Sequence, residues 1–189
     1  MSDIESLYTK VDGKILIEIK LSSIMQLFNS FDPAPFHEKE LDSNAEDYII
    51  HTIKDFPAKT QFKIIIYLPP DLATTEKGKT LDQAVHNHFG YKMMVAEREF
   101  RQQFKFGRIS LVIGLSFLAI ALLARQIIPP HLSDQLLAQL FADALLIFGW
   151  AAMWEPITIL LYELWPIVQM KNIYKNISVM EIEIVPSPQ

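Results

Sequence analysis

Two long apolar segments, Ile109 to Ile128 and Leu136 to Val168, constrain this chain more than any other feature. The first is interrupted only by Ser110, Ser116, Arg125 and Gln126. A helix of about twenty residues is about 30 Å long, the thickness of a bilayer's hydrocarbon core. The second segment, as one helix, is roughly 50 Å long and exceeds that thickness, so part of it must emerge. The pair is expected to form a transmembrane hairpin with spans over about 109–128 and 134–155, turned by Pro129-Pro130, with Ser133 capping the returning helix.

The flanking charges orient this hairpin. Lys92, Arg98, Arg101, Lys105 and Arg108 precede the first span, Lys171 and Lys175 follow the second, and the connection carries only Arg125 and His131. Cytoplasmic flanks concentrate Lys and Arg, so both termini are expected in the cytoplasm. The start, Met1-Ser2-Asp3-Ile4-Glu5, has neither a basic n-region nor an apolar h-region, which predicts that the first span is itself an uncleaved insertion signal. Residues 1–60 carry eleven acids against six lysines and the net charge is −5, with no basic face outside the flanks of the hairpin. Nucleic acid is therefore not an expected partner, because affinity for phosphate comes from clustered Lys and Arg. The absence of cysteine excludes disulfides, thiolate zinc sites and cysteine nucleophiles.

Outside the hairpin the patterning is that of one small α/β domain. Lys14 to Leu21 alternates, with Ile15, Ile17, Ile19 and Leu21 on one face, and Phe62, Ile64, Ile66 and Leu68 repeat the pattern before Pro69-Pro70 ends the strand. Ser22 or Ser23 is placed to cap a short helix through Phe28, and the prolines of Phe31-Asp32-Pro33-Ala34-Pro35-Phe36 make an extended connector. Ser43-Asn44-Ala45-Glu46 matches a capping box for an amphipathic helix ending before Pro57, and Thr80-Leu81-Asp82-Gln83 matches a second one. The long helix it opens carries the stripe Leu81, Val85, Phe89, Met93, Phe100 and Phe104, with bends expected at Gly90 or Gly107.

Beyond the second span, Ile157, Leu160, Leu161, Leu164, Val168, Ile173 and Ile177 are expected to pack on that stripe. Met180, Ile182 and Ile184 alternate with Glu181 and Glu183 as a last strand. Strands separated by helices favour parallel crossovers. The expected architecture is thus a two-helix membrane hairpin inserted into a small cytosolic α/β domain of about three strands. Its parts are residues 1–107 with a juxtamembrane helix over 80–107, the hairpin 108–156, and a helix and completing strand over 157–189.

Few residues suggest chemistry. His37, Glu38, Glu40 and Asp42, with His51, combine imidazole and carboxylates as a divalent-metal site would, although acids preceding a helix also favour its dipole. His86 and His88 are two apart, which on a helix turns them about 200° from each other, so one site cannot readily use both. No glycine-flanked nucleophile, phosphate loop or dinucleotide fingerprint occurs, and no cofactor is expected. Asp143 stands inside the second span, where an acid is costly and faces a partner or water, Arg125 being the nearest candidate. Arg108, Trp154, Glu155 and Trp165 are expected at the membrane interface. Ser110 with Gly114, and Ala138 with Ala142 and Gly149, are small residues that let helices approach closely.

The blocks Phe31-Asp32-Pro33-Ala34-Pro35-Phe36, Ala45-Glu46, Gly107-Arg108, Trp154-Glu155-Pro156 and Tyr162 with Trp165-Pro166 resemble a family of bacterial two-span membrane proteins over most of the chain. The resemblance implies an inner-membrane address and brings no established activity, cofactor or catalytic residue. The expected role is a non-enzymatic scaffold, anchor or accessory subunit whose partners are the bilayer and either further copies of itself or a membrane complex. Two alternatives are an oligomeric ion channel or ion-coupled transporter component using Asp143, and a membrane-tethered metal enzyme using His37, Glu38, Glu40 and Asp42.

Overall fold

The computed structural model describes residues 7–57, 59–127 and 134–187, except for the side chain of His37. Expectations for Met1 to Glu5, the Pro129-Pro130 turn, His131 and a Ser133 cap lie outside the described residues. The chain divides into two compact units, Met1–Met94 with Lys171–Gln189, and Val95–Met170.

The first unit is built on a four-stranded sheet in the order β1 (Lys10–Val11), β2 (Lys14–Lys20), β3 (Phe62–Leu68) and β4 (Ile182–Pro186). β2, β3 and β4 run parallel, with Ile17 beside Ile64 and Ile64 beside Ile182. The additional strand β1 pairs antiparallel with β2 across Asp12 (φ 51°) and Gly13 (φ 80°). Left-handed backbone at both positions is the signature of a tight hairpin turn, and the Asp-Gly pair is its local signal. β3 is central and buried along most of its length, including Ile65 on the second face.

Lysines of β2 and β3 meet the glutamates in and just before β4. Lys14 contacts Glu181 at 2.7 Å, and Lys63 contacts Glu181 at 2.6 Å and Glu183 at 2.8 Å. Each exposed pair contributes little energy, but together they match β4 to β3 and β2 in one register, because a slip of one residue would turn the glutamates to the other face.

Helices cover the sheet. The 3-10 turn Ile24–Leu27 is capped by Ser23, with Gln26 completing the capping box. Helix α1 (Ser43–Lys54) buries Ile49, Ile50 and Ile53. Its N-cap is Asp42, not Ser43: the Asp42 carboxylate accepts the Asn44 N–H at 2.9 Å. The expected capping box fails because Glu46 is drawn across to another helix. The short turns α2 (Pro70–Ala73) and α3 (Glu76–Lys79) lead into α4 (Leu81–Ile127). Thr80 donates its hydroxyl to the Glu76 carbonyl at 2.9 Å, back toward α3. The helical hydrogen bonding of α4 runs without a break through Gly90 and Gly107. Its Leu81, Val85 and Phe89 enter the core of the first unit, as does Ile177 of α7 (Leu164–Ile177).

The second unit pairs the later part of α4 with α5 (Gln135–Ala151), which Asp134 caps by accepting the Leu136 N–H at 2.9 Å. After a turn at Ala152-Met153 the chain continues as α6 (Trp154–Thr158), a π-helical turn over Ile159–Glu163, and α7. The helix of the expected second span is therefore interrupted at Ala152-Met153. The π turn holds one more residue than an α turn, which rotates the following face. Ile159 is buried while Leu161, expected to pack inward, is exposed.

Small residues mark the close approaches: a β-carbon on Gly107 would lie 2.9 Å from the Ile159 side chain, and one on Gly149 2.8 Å from Leu118. Two helical runs, Leu81–Ile127 of 47 residues and Gln135–Ile177 of 43, are long and apolar enough to cross a membrane, with mean hydropathy 2.2 and 1.8 in their most apolar windows.

Candidate functional site

The polar centre of the first unit is Glu46 on α1, facing His88 and Lys92 on α4. One carboxylate oxygen, Oε2, lies 3.1 Å from His88 Nε2 and 3.0 Å from Lys92 Nζ. The other ring nitrogen of His88, Nδ1, accepts the backbone N–H of Leu41 at 3.2 Å. A nitrogen that accepts an N–H carries no proton, so the imidazole is the neutral Nε2–H tautomer and donates to Glu46. Burial pushes the Glu46 carboxyl up, but the hydrogen bonds from His88 and Lys92 outweigh it and hold the group below its ordinary value. Burial lowers Lys92, and the bond to Glu46 more than compensates, leaving that amine raised.

His86 points elsewhere, as the two-residue spacing predicts. Its Nε2–H donates to the Met180 carbonyl at 2.8 Å, tying α4 to the approach to β4. Both histidines are thus engaged by the fold, and to different partners.

Beside this cluster lies an open groove of about 890 Å³ whose walls include Asp32, Glu38, Glu40, Tyr91, Met93 and Met94. Asp32 organises its rim: its carboxylate accepts the backbone N–H groups of Glu40 at 2.6 Å and Ala34 at 2.9 Å, and these bonds hold it below the usual carboxylate range. Of the expected metal ligands, Glu38 and Glu40 border the groove while Asp42 is occupied as the cap of α1. His51 sits in the last turn of α1. Among the described residues no three His, Asp or Glu side chains converge as a metal site requires. His37 lies in the 3-10 turn Phe36–Glu38, its side chain outside the description.

In the second unit Arg125 reaches Asp143 at 3.8 Å, and the Asp143 side chain remains 58% exposed. The guanidinium of Arg108 lies 6.0 Å above the Phe104 ring. Gln103 donates its side-chain amide to Glu163, in the π turn. Trp154 and Trp165 are exposed. A smaller cavity, about 310 Å³, opens where α4 passes the break after α5, and Ser110, Gly114 and Glu155 line it.

Glu46 was legible only as a capping residue, because its partners lie more than forty positions away. Nor does any local pattern announce the Gln103–Glu163 pair. Comparison with protein-family models, curated proteins and solved structures finds no match.

Proposed function

We propose that this chain is an integral protein of the bacterial inner membrane, with two spans and both termini cytoplasmic, and that its α/β unit serves as a non-enzymatic scaffold, anchor or accessory subunit. The observation that carries the membrane part is how little of the apolar helices is covered. Only 17% of the most apolar window of each run is buried. Val112, Ile113 and Ile120 are each 64% exposed, and Leu136, Ile147 and Phe148 are exposed as well.

Burying a side chain of this size contributes about 1.5–3 kcal/mol. Half a dozen left in water would forgo on the order of 10 kcal/mol, comparable to a domain's whole stability. A lipid environment removes that deficit. The excess of basic residues before the first run and after the second supports the orientation, and the resemblance to bacterial two-span proteins supports the compartment.

The scaffold role rests on the engagement of the first unit's polar centre: Glu46, His88, His86 and Asp32 all hold one part of the unit to another. The protein should resist alkaline carbonate extraction and, purified from its own membrane in mild detergent, carry a stoichiometric partner or further copies of itself. Release by carbonate overturns the membrane reading, and a lone monomer in every detergent overturns the scaffold reading.

A second reading, an oligomeric ion path, is favoured by one observation. Asp143 is exposed on an apolar helix with Arg125 at 3.8 Å, and an acid in lipid favours a partner or water. Reconstituted protein should then pass an ion flux that Asp143→Asn abolishes; equal flux in that variant refutes the role.

A further inference from the structure

The break after α5 creates a set of hydrogen-bond acceptors inside the apolar second unit. In a continuous helix the carbonyl of Ala152 would bond the N–H of residue 156, and Pro156 has none. Gly114 lets α4 pass close to this carbonyl, since a β-carbon there would lie 2.8 Å from the Ala152 oxygen. The cavity of about 310 Å³ formed by this approach is lined by Ser110, Ile113, Gly114, Phe117, Ala152, Glu155 and Pro156. Among the described residues neither the Ser110 hydroxyl nor the Glu155 carboxylate has a hydrogen-bond or ion-pair partner.

The lining therefore offers a carboxylate, a hydroxyl oxygen and a carbonyl freed of its helical donor, set among carbon. Such a set calls for a cation that donates several hydrogen bonds, and a primary ammonium has three N–H groups. The apolar remainder, Ile113, Phe117 and Pro156, favours a cation attached to hydrocarbon over a bare metal ion, which takes a shell of oxygens. On the membrane reading, Ser110 begins the first span and Glu155 ends the second, which puts both toward the headgroup end of the hairpin.

We propose that this cavity binds the primary-ammonium headgroup of a membrane phospholipid, with Glu155 taking the charge and Ser110 and the Ala152 carbonyl accepting its N–H groups. The proposal rests on the membrane reading above.

The test uses the full chain in bilayer discs of phosphatidylethanolamine, phosphatidylcholine or phosphatidylglycerol with the same acyl chains. Lipid retention is read by native mass spectrometry after mild release. Phosphatidylethanolamine should be retained about tenfold over the other two, because choline has no N–H and the glycerol headgroup has no positive charge. Glu155→Gln should abolish the preference, whereas Glu99→Gln, an exposed acid elsewhere on α4, should keep it. Free ethanolamine should compete weakly if the acyl chains contribute, and full competition by it would show that a soluble amine is the ligand. Equal retention of the three lipids by inserted protein, or an unchanged preference in Glu155→Gln, overturns the site alone. Failure of the chain to enter the discs overturns the membrane reading with it.

Discussion

Replacing Glu46 by leucine should unlatch α1 from α4, and its cost can be worked from the contacts. His88 is buried, its side chain 2% exposed, so its Nε2–H would be left without an acceptor, at about 1–3 kcal/mol. Lys92 loses its partner too, but its side chain is 32% exposed and can turn to water, adding about 0–1 kcal/mol. The sum is about 1–4 kcal/mol, or a fall of roughly 5–20 °C in Tm for a unit of about a hundred residues.

Glu46→Gln keeps an oxygen for His88 and removes only the charge, so it should cost about 1 kcal/mol. The tryptophans, Trp150, Trp154 and Trp165, all lie in the second unit, so their fluorescence would miss this change. Hydrogen exchange of the full chain in detergent is the suitable assay, read at the Leu41 amide and along α1. Unchanged protection of the Leu41 amide and of α1 in the leucine variant would refute the latch. Because the folded carboxyl is held below its ordinary value of 4.5, this contribution is complete above that pH and is lost as pH falls through the lowered value.

Other outcomes follow from single contacts. Glu181 is held down to about 2, first by the hydrogen bond from Lys14 and then by that from Lys63. The contribution of this ladder to β4 should be constant above about pH 4.5 and be lost on acidification toward 2, read as exchange of the 182–186 amides. Gly114→Ala places a carbon 2.8 Å from a backbone oxygen that cannot rotate away. It should destabilise the second unit by about 1–3 kcal/mol, measured as detergent-dependent loss of Trp fluorescence; an unchanged Tm would deny the close approach. Gly13→Ala, at φ 80° with nothing within 4 Å, meets no clash, so its cost should be conformational, about 1 kcal/mol, with β1 exchange raised.

Periodicity carried the reading of the sheet. Ile15, Ile17, Ile64 and Ile66 are buried as alternation predicts, and parallel pairing follows from the length of the connections. The strand β1 was missed although Asp12-Gly13 signals its turn, because two residues are too few to show a period. Capping was half legible: Ser23 behaves as its sequence suggests, while Glu46 satisfies a motif it does not use, since a buried imidazole offers it more than an exposed backbone N–H. The break at Ala152-Met153 and the π turn after it were invisible in a run of apolar residues, where any face looks like the next.

Hydropathy and period are local properties, so the sequence by itself determined that two helices carry more apolar surface than a small domain can cover, and that alternating strands flank them. Which polar groups meet is a different matter. Glu46 finds His88, Glu181 finds Lys14, and Ser110 comes to line one cavity with Glu155 only after the chain has folded back over tens of residues. Tertiary structure decided these meetings because the energy of a buried or membrane-facing polar group depends on the partner brought to it, and no local pattern encodes that partner.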